Sequence, residues 1–159
     1  MAKVILLCGK ICVGKTTYAR LLLRRGPAVT LNTDALMAAL YAGPCGDAYH
    51  AALRKAQAYL LGVAADIVRA GVDVVYEGAA WLQSDRRSAT EYFRKNGIAS
   101  EWRCVEASAE TQRAFITKRN AQVRAGESDA TFVDDELFVR CEGNYEAPAP
   151  GEMDAVIQV

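Results

Sequence analysis

The densest chemistry in the chain lies in eight consecutive residues. Gly9-Lys10-Ile11-Cys12-Val13-Gly14-Lys15-Thr16, with Thr17 next, has the spacing G-x-x-x-x-G-K-[ST]. A segment so spaced curls until successive main-chain N–H groups face inward and enclose an anion. Gly9 and Gly14 supply backbone angles that a β-carbon resists. Lys15 is placed to reach the outer phosphates of a nucleoside triphosphate, and the Thr16 hydroxyl to ligate Mg²⁺. The helix that follows adds its positive dipole end. The alternative is a chance glycine-rich turn. The position of the segment, between an apolar run and a helical one, favours the phosphate loop.

Further candidates sit just after other apolar runs. Val72–Tyr76 leads into Glu77, an acid placed for Mg²⁺ or its water shell; otherwise it is a solvated strand-end glutamate. Asn32-Thr33-Asp34 follows a second run. Asp34 either caps the helix Ala35–Tyr41 or faces the pocket and takes a proton from an acceptor hydroxyl. If Thr33 is the cap, Asp34 is free for chemistry. Arg113, Lys118, Arg119 and Arg124 lie on a helix that gives way to the polar segment Ala125–Ala130, which has the composition of a movable lid. Phosphoryl transfer needs cations against the charge developing on the γ-phosphate, and Arg119 and Arg124 are best placed; a solvated basic face is the alternative. Trp81 and Trp102 read as packing rather than ring-stacking residues, and the lone His50 as a surface residue.

These residues need a scaffold that brings strand ends together. Strands are expected at Val4–Cys8, Ala28–Leu31, Val72–Tyr76, Ile98–Val105 and Ala155–Val159. Helices are expected at Lys15–Arg25, Thr33–Tyr41, Tyr49–Ala70, Ser84–Lys95, Ala109–Val123 and Val133–Cys141, punctuated by Gly26-Pro27, Gly43–Gly46, Gly71 and Asn96-Gly97. Short apolar strands alternating with helices imply an α/β fold, with a parallel sheet covered on both faces. Ligands of such sheets sit at the carboxyl ends of the strands, where all the candidates above fall.

At 159 residues, 52% hydrophobic and 24% charged, the chain suits one domain with a buried core. Nineteen basic residues balance nineteen acidic ones, so there is no general pull toward nucleic acid or an anionic membrane. Cysteines 8, 12, 45, 104 and 141 include no C-x-x-C pair, which argues against a zinc site. Two of them sit in or beside the phosphate loop, where a disulfide would distort the turn, so all are expected as reduced thiols in a cytoplasmic protein. No apolar run is long enough to span a bilayer.

Ile5-Leu6-Leu7-Cys8-Gly9 running into Gly14-Lys15-Thr16-Thr17, Leu31-Asn32-Thr33-Asp34, Val74-Val75-Tyr76-Glu77-Gly78 with Arg86-Arg87, Arg119-Asn120 with Thr131-Phe132-Val133, and Tyr145-Glu146-Ala147-Pro148 with Glu152 together carry a resemblance. The chain resembles the small P-loop kinases grouped with the 5′-kinase domain of polynucleotide kinase, zeta-toxin-type kinases and chloramphenicol phosphotransferase. It is most similar in look to stand-alone bacterial ATP-binding proteins of the AAA-domain class. The resemblance implies a P-loop NTPase three-layer α/β/α sandwich, strand order 2-3-1-4-5, with a helical lid at about residues 119–132. It also implies Asp34 at the acceptor-activating position and Arg119 near the transferring phosphate.

Three departures stand out. Polynucleotide kinases usually carry an arginine where this chain has Met37; relatives often have one where it has Phe115; and many have Asp where it has Glu77. The expectation is an ATP- and Mg²⁺-dependent phosphotransferase acting on a small-molecule hydroxyl, with residues 36–60 shaping the acceptor pocket. The alternatives are a nucleic-acid 5′-end kinase, disfavoured by Met37 and zero net charge, and an ATP-binding switch. An Asn-Lys-x-Asp guanine motif is absent. The residues leave the acceptor and the oligomeric state open.

Overall fold

Val4–Cys8 (β1) is apolar at every position and buried at every position, as only a central strand with both faces covered can be. In the computed structural model, which describes residues 1–41, 46–78, 80–128 and 130–159, β1 lies in the middle of a five-stranded sheet. It pairs in parallel with Asp73–Glu77 (β3) on one side and Ser100–Glu106 (β4) on the other. Ala28–Asn32 (β2) adds outside β3, and Ala155–Gln158 (β5) outside β4. The order is β2-β3-β1-β4-β5, all parallel, as the resemblance implied.

Six helices connect the strands: Lys15–Leu23 (α1), Thr33–Leu40 (α2), Gly46–Arg69 (α3), Gln83–Lys95 (α4), Ala109–Arg124 (α5) and Asp135–Asn144 (α6). The two-residue period of β1 divides the core. Val4, Leu6 and Cys8 join Val74, Tyr76, Trp102 and Cys104 under α3 and α4, whose Leu60, Ala64, Ala65, Ala89 and Phe93 close that face. Ile5 and Leu7 point the other way, with Val75, against Ala19 and Leu22 of α1. Each large side chain so buried stabilises the fold by about 1.5–3 kcal/mol.

Every expected element is present, and the differences lie at the ends. β3 runs one residue further than the apolar pattern, taking Glu77 into the sheet opposite Leu7 and Asn32. β4 starts at Ser100 and ends on Glu106. α3 starts at Gly46, earlier than its apolar face; residues 43–45 of the expected breaker, Cys45 included, lie outside the described residues. α6 starts after Val133, because Asp134 caps it by accepting the Leu137 N–H at 2.8 Å.

Candidate active site

The loop after β1 runs against the backbone of β4. A β-carbon on Gly9, at φ 141°, would lie 2.3 Å from the Val105 carbonyl oxygen, so no other residue fits there. Gly14, at φ 94°, opens α1, and its need is conformational: an added β-carbon would make ordinary contact with Phe115 and Val159. Between them Cys12 adopts φ 55°, the left-handed conformation of a non-glycine residue. The loop residues Lys10, Ile11 and Val13 complete the turn, with Val13 buried beneath it. Thr17 is exposed on the first turn of α1.

Lys15 folds back over this loop. Its Nζ donates to the Gly9 carbonyl at 2.8 Å and the Lys10 carbonyl at 2.5 Å. Burial lowers its pKa from the ordinary lysine value, while Asp34, Cys8, Cys12 and Glu77 oppose that shift. The Thr16 hydroxyl donates to Glu77 Oε2 at 2.8 Å, and Glu77 is only 7% exposed. The last residue of β3 is thus held at the mouth of the phosphate loop. A hydroxyl and a carboxylate side by side are hard-oxygen donors of the kind Mg²⁺ takes alongside waters and phosphate oxygens. Among the described residues no group of three His, Cys, Asp or Glu forms a separate metal cluster.

The helix cap after β2 is neither Thr33 nor Asp34. Asn32 caps α2, its Oδ1 accepting the Ala35 N–H at 2.9 Å. Thr33 is buried and shares a 3.1 Å hydrogen bond with the Tyr76 hydroxyl. With capping and packing taken by its neighbours, the Asp34 carboxyl is left for the site. Crowding by protein raises its pKa, although the side chain still reaches solvent; the charges of Lys15 and Arg119 act to lower it. Met37, one turn on, is 1% exposed, so its position belongs to the core.

Arg119 comes from α5 to the rim of the loop. Its Nη1 lies 3.4 Å from the Cys12 sulfur, and its Nε is buried with no hydrogen-bond partner among the described residues. Asn120 beside it grips the backbone of Val133 twice: Nδ2 donates to the Val133 carbonyl at 2.7 Å and Oδ1 accepts the Val133 N–H at 2.8 Å. The segment expected as a lid is therefore pinned at its base; residue 129 within it lies outside the described residues. Arg124 ends α5 with its guanidinium over the Phe132 ring, 4.8 Å from the centroid. Arg113 and Lys118 are exposed.

The fold thus gathers Lys15, Thr16, Asp34, Glu77 and Arg119 around one loop, while Arg124 has an aromatic partner in the lid segment. Sequence reasoning missed Gln112 and Glu142, which touch the loop from α5 and α6. Gln112 Nε2 donates to the Ile11 carbonyl at 2.8 Å and to Glu142 Oε1 at 3.2 Å, and Lys10 Nζ donates to Glu142 Oε2 at 2.5 Å. No local signal marks either residue, since Gln112 and Ile11 are 101 positions apart.

The sheet order and the loop define a P-loop protein of the kinase-like type. More particularly, the chain belongs to the AAA-domain family, whose model matches residues 4–148. No curated protein matches it. Among solved structures it is similar to Chaetomium thermophilum Kti12 in complex with ADP-AlF3, at 17% identity and TM-score 0.69 over 98% of this chain and 88% of that one. It is similar to a sugar kinase from Janibacter sp. HTCC2649, at 17% identity and TM-score 0.67 over 99% and 86%. It is also similar to the Mycobacterium tuberculosis APS kinase CysC in complex with AMPPNP and APS, at 21% identity and TM-score 0.65 over 99% and 88%. At these identities the likeness is one of fold.

Proposed function

We propose that the protein is an ATP-dependent phosphotransferase that moves the γ-phosphate of Mg·ATP to a hydroxyl of a small molecule. The observation that carries this reading is the Asp34 carboxyl, freed from capping by Asn32 and placed in the field of Lys15 and Arg119. A pure nucleotide switch has no need of an acid there.

The loop amides enclose the β-phosphate, and Lys15 leaves the Gly9 and Lys10 carbonyls to neutralise the outer phosphates. Thr16 and Glu77 would hold Mg²⁺, and the bound ion would screen the phosphate charge. Asp34 orients the acceptor hydroxyl and takes its proton. The Arg119 guanidinium, beside Cys12 at the rim of the loop, supports the γ-phosphate as charge moves onto it. The lid, about residues 119–132, brings Arg124 within reach when it closes. The AMPPNP and ADP-AlF3 held by two of the structural neighbours support the choice of nucleotide.

The acceptor is assigned to a cavity of about 210 Å³ between α3 and α4, lined by Arg54, Gln57, Tyr76, Gly78, Ser88 and Trp102 among others. Its wall includes Tyr76, whose hydroxyl bonds Thr33, the residue before Asp34. Its size suits a small hydroxylated molecule. A second cavity of about 190 Å³, beside Lys3, Asp73 and Arg103, lies at the amino ends of the strands, away from the phosphate loop.

An acceptor screen tests the proposal. The protein is incubated with γ-labelled ATP and panels of sugars, nucleosides, antibiotics and 5′-hydroxyl oligonucleotides. Label in a small molecule is the expected result. Label on an oligonucleotide end, or tight ATP binding with no acceptor-dependent turnover anywhere in the panel, overturns it.

A further inference from the structure

An anion-binding loop works only if its peptide planes are turned the right way. Each inward N–H belongs to a plane whose carbonyl must face outward, because the two groups of a trans peptide point in opposite directions. An outward carbonyl beneath packed helices needs its own partner. At the Ile11–Cys12 peptide that partner is visible. The Ile11 carbonyl accepts from Gln112 Nε2 at 2.8 Å, and the chain has no cis peptide among its described residues. The Cys12 N–H is therefore turned away from the Gln112 amide, the orientation that an anion nest requires. Cys12 also has φ 55°, the left-handed conformation that alternates with right-handed residues in such nests.

The orientation of the Gln112 amide is set by chemistry. Gln112 is 6% exposed, and its neighbours there are the Ile11 carbonyl and Glu142 Oε1, both acceptors. Only the NH₂ end satisfies both; the reversed amide would set oxygen against oxygen. Glu142 is held in turn by Lys10, the second residue of the loop, at 2.5 Å. The contacts close a ring: Lys10 to Glu142, Glu142 to Gln112, Gln112 to Ile11.

We infer that Gln112, oriented by Glu142, is a positioning residue that holds the phosphate loop in its anion-binding form before nucleotide arrives. The inference rests on the reading that this loop binds a triphosphate. A preformed site does not have to order its loop on binding, so the ring contributes chiefly to affinity.

Calorimetry of MgATP binding to the full chain tests it, with melting temperature measured on every variant. Gln112→Leu keeps the volume and removes the donor; it is expected to weaken MgATP binding about 10- to 100-fold and to change kcat less than about threefold. Glu142→Leu is expected to weaken binding less, and Gln112→Leu with Glu142→Leu to be no weaker than Gln112→Leu alone, because the two act on one carbonyl. Gln112→Glu adds a readout that a merely structural role would not move. Its ionised carboxylate cannot donate, so its affinity relative to the parent at the same pH should recover as pH falls and the introduced acid gains a proton.

Folded Gln112→Leu protein that binds MgATP as the parent does would overturn the inference. So would a Gln112→Glu variant whose relative affinity is flat with pH, and this arm decides the matter if Gln112→Leu does not fold. Failure of the parent itself to bind MgATP overturns the phosphate-loop reading and the inference with it.

Discussion

At the scale of single residues, Lys15 and Asp34 support each other's charge near the loop, but desolvation by the surrounding protein outweighs that support. Burial raises the Asp34 pKa above the ordinary 3.8 and lowers that of Lys15 below the ordinary 10.5. If Asp34 is the base it must be ionised, and its raised pKa moves the acid limb of activity upward. If Lys15 must be charged, its lowered pKa moves the alkaline limb downward. The expected kcat/KM profile is a bell narrower than the span between the two ordinary values, and Asp34→Asn should lose the acid limb along with about two to four orders of magnitude in rate. The stability effect has the opposite sign. A carboxyl whose folded pKa is raised contributes unfavourably once pH passes its unfolded value, so Asp34→Asn should melt no lower than the parent at neutral pH. Thermal melts and pH–rate profiles on the same samples check both. A rate within a fewfold of the parent would remove Asp34 from the chemistry.

At the scale of elements, the question is which side chain fastens each helix and which is left over. Asn32, Thr33 and Asp34 are all good N-cap residues, so local propensity cannot choose among them. The choice is tertiary: Thr33 is buried against the Tyr76 hydroxyl, 43 positions away, which places Asn32 at the cap. Asn32→Ala should therefore cost about 1 kcal/mol in urea unfolding while leaving the rate within a fewfold, the reverse of the pattern at Asp34. The same logic holds at the segment proposed as a lid. Asn120 joins α5 to Val133 by two hydrogen bonds at the root of the segment, next to Arg119. Asn120→Ala should cost about 1–3 kcal/mol. It should also lower kcat about tenfold with little change in MgATP affinity, because it frees the lid root without touching the phosphate loop. Equal losses in kcat and affinity would mean that the pair steadies the loop instead. The alternation of strands and helices was legible because apolar runs and Gly/Pro breaks are local signals. The caps and the Gln112–Ile11 contact were not, because their partners are chosen by packing.

At the scale of the whole molecule, the last stretch of chain is tied to the core by a buried cation. Arg86 on α4 is fully buried, and its N–H groups reach both oxygens of Glu152 as well as the carbonyls of Ala80, Trp81 and Glu146. Trp102 and Asp154 add a backbone link to β4, after which β5 completes the sheet. The resemblance brought Arg86 and Glu152 into view, but neither composition nor periodicity says that they pair. Their separation of 66 positions makes the contact a product of the finished fold. The pair also anchors the segment carrying Tyr145, whose hydroxyl lies 3.6 Å from the Cys8 sulfur at the end of β1, one residue before the phosphate loop. Glu152→Ala would leave the guanidinium buried without its counter-charge, a loss of about 3–5 kcal/mol. Arg86→Met combined with Glu152→Leu removes both charges and should cost clearly less. If urea unfolding finds Glu152→Ala no less stable than the double variant, the ion pair is not what fastens the chain's end. If the expected order holds, the destabilised Glu152→Ala protein should still bind MgATP at temperatures where it remains folded, because the phosphate loop is held from its other side by Gln112 and Glu142.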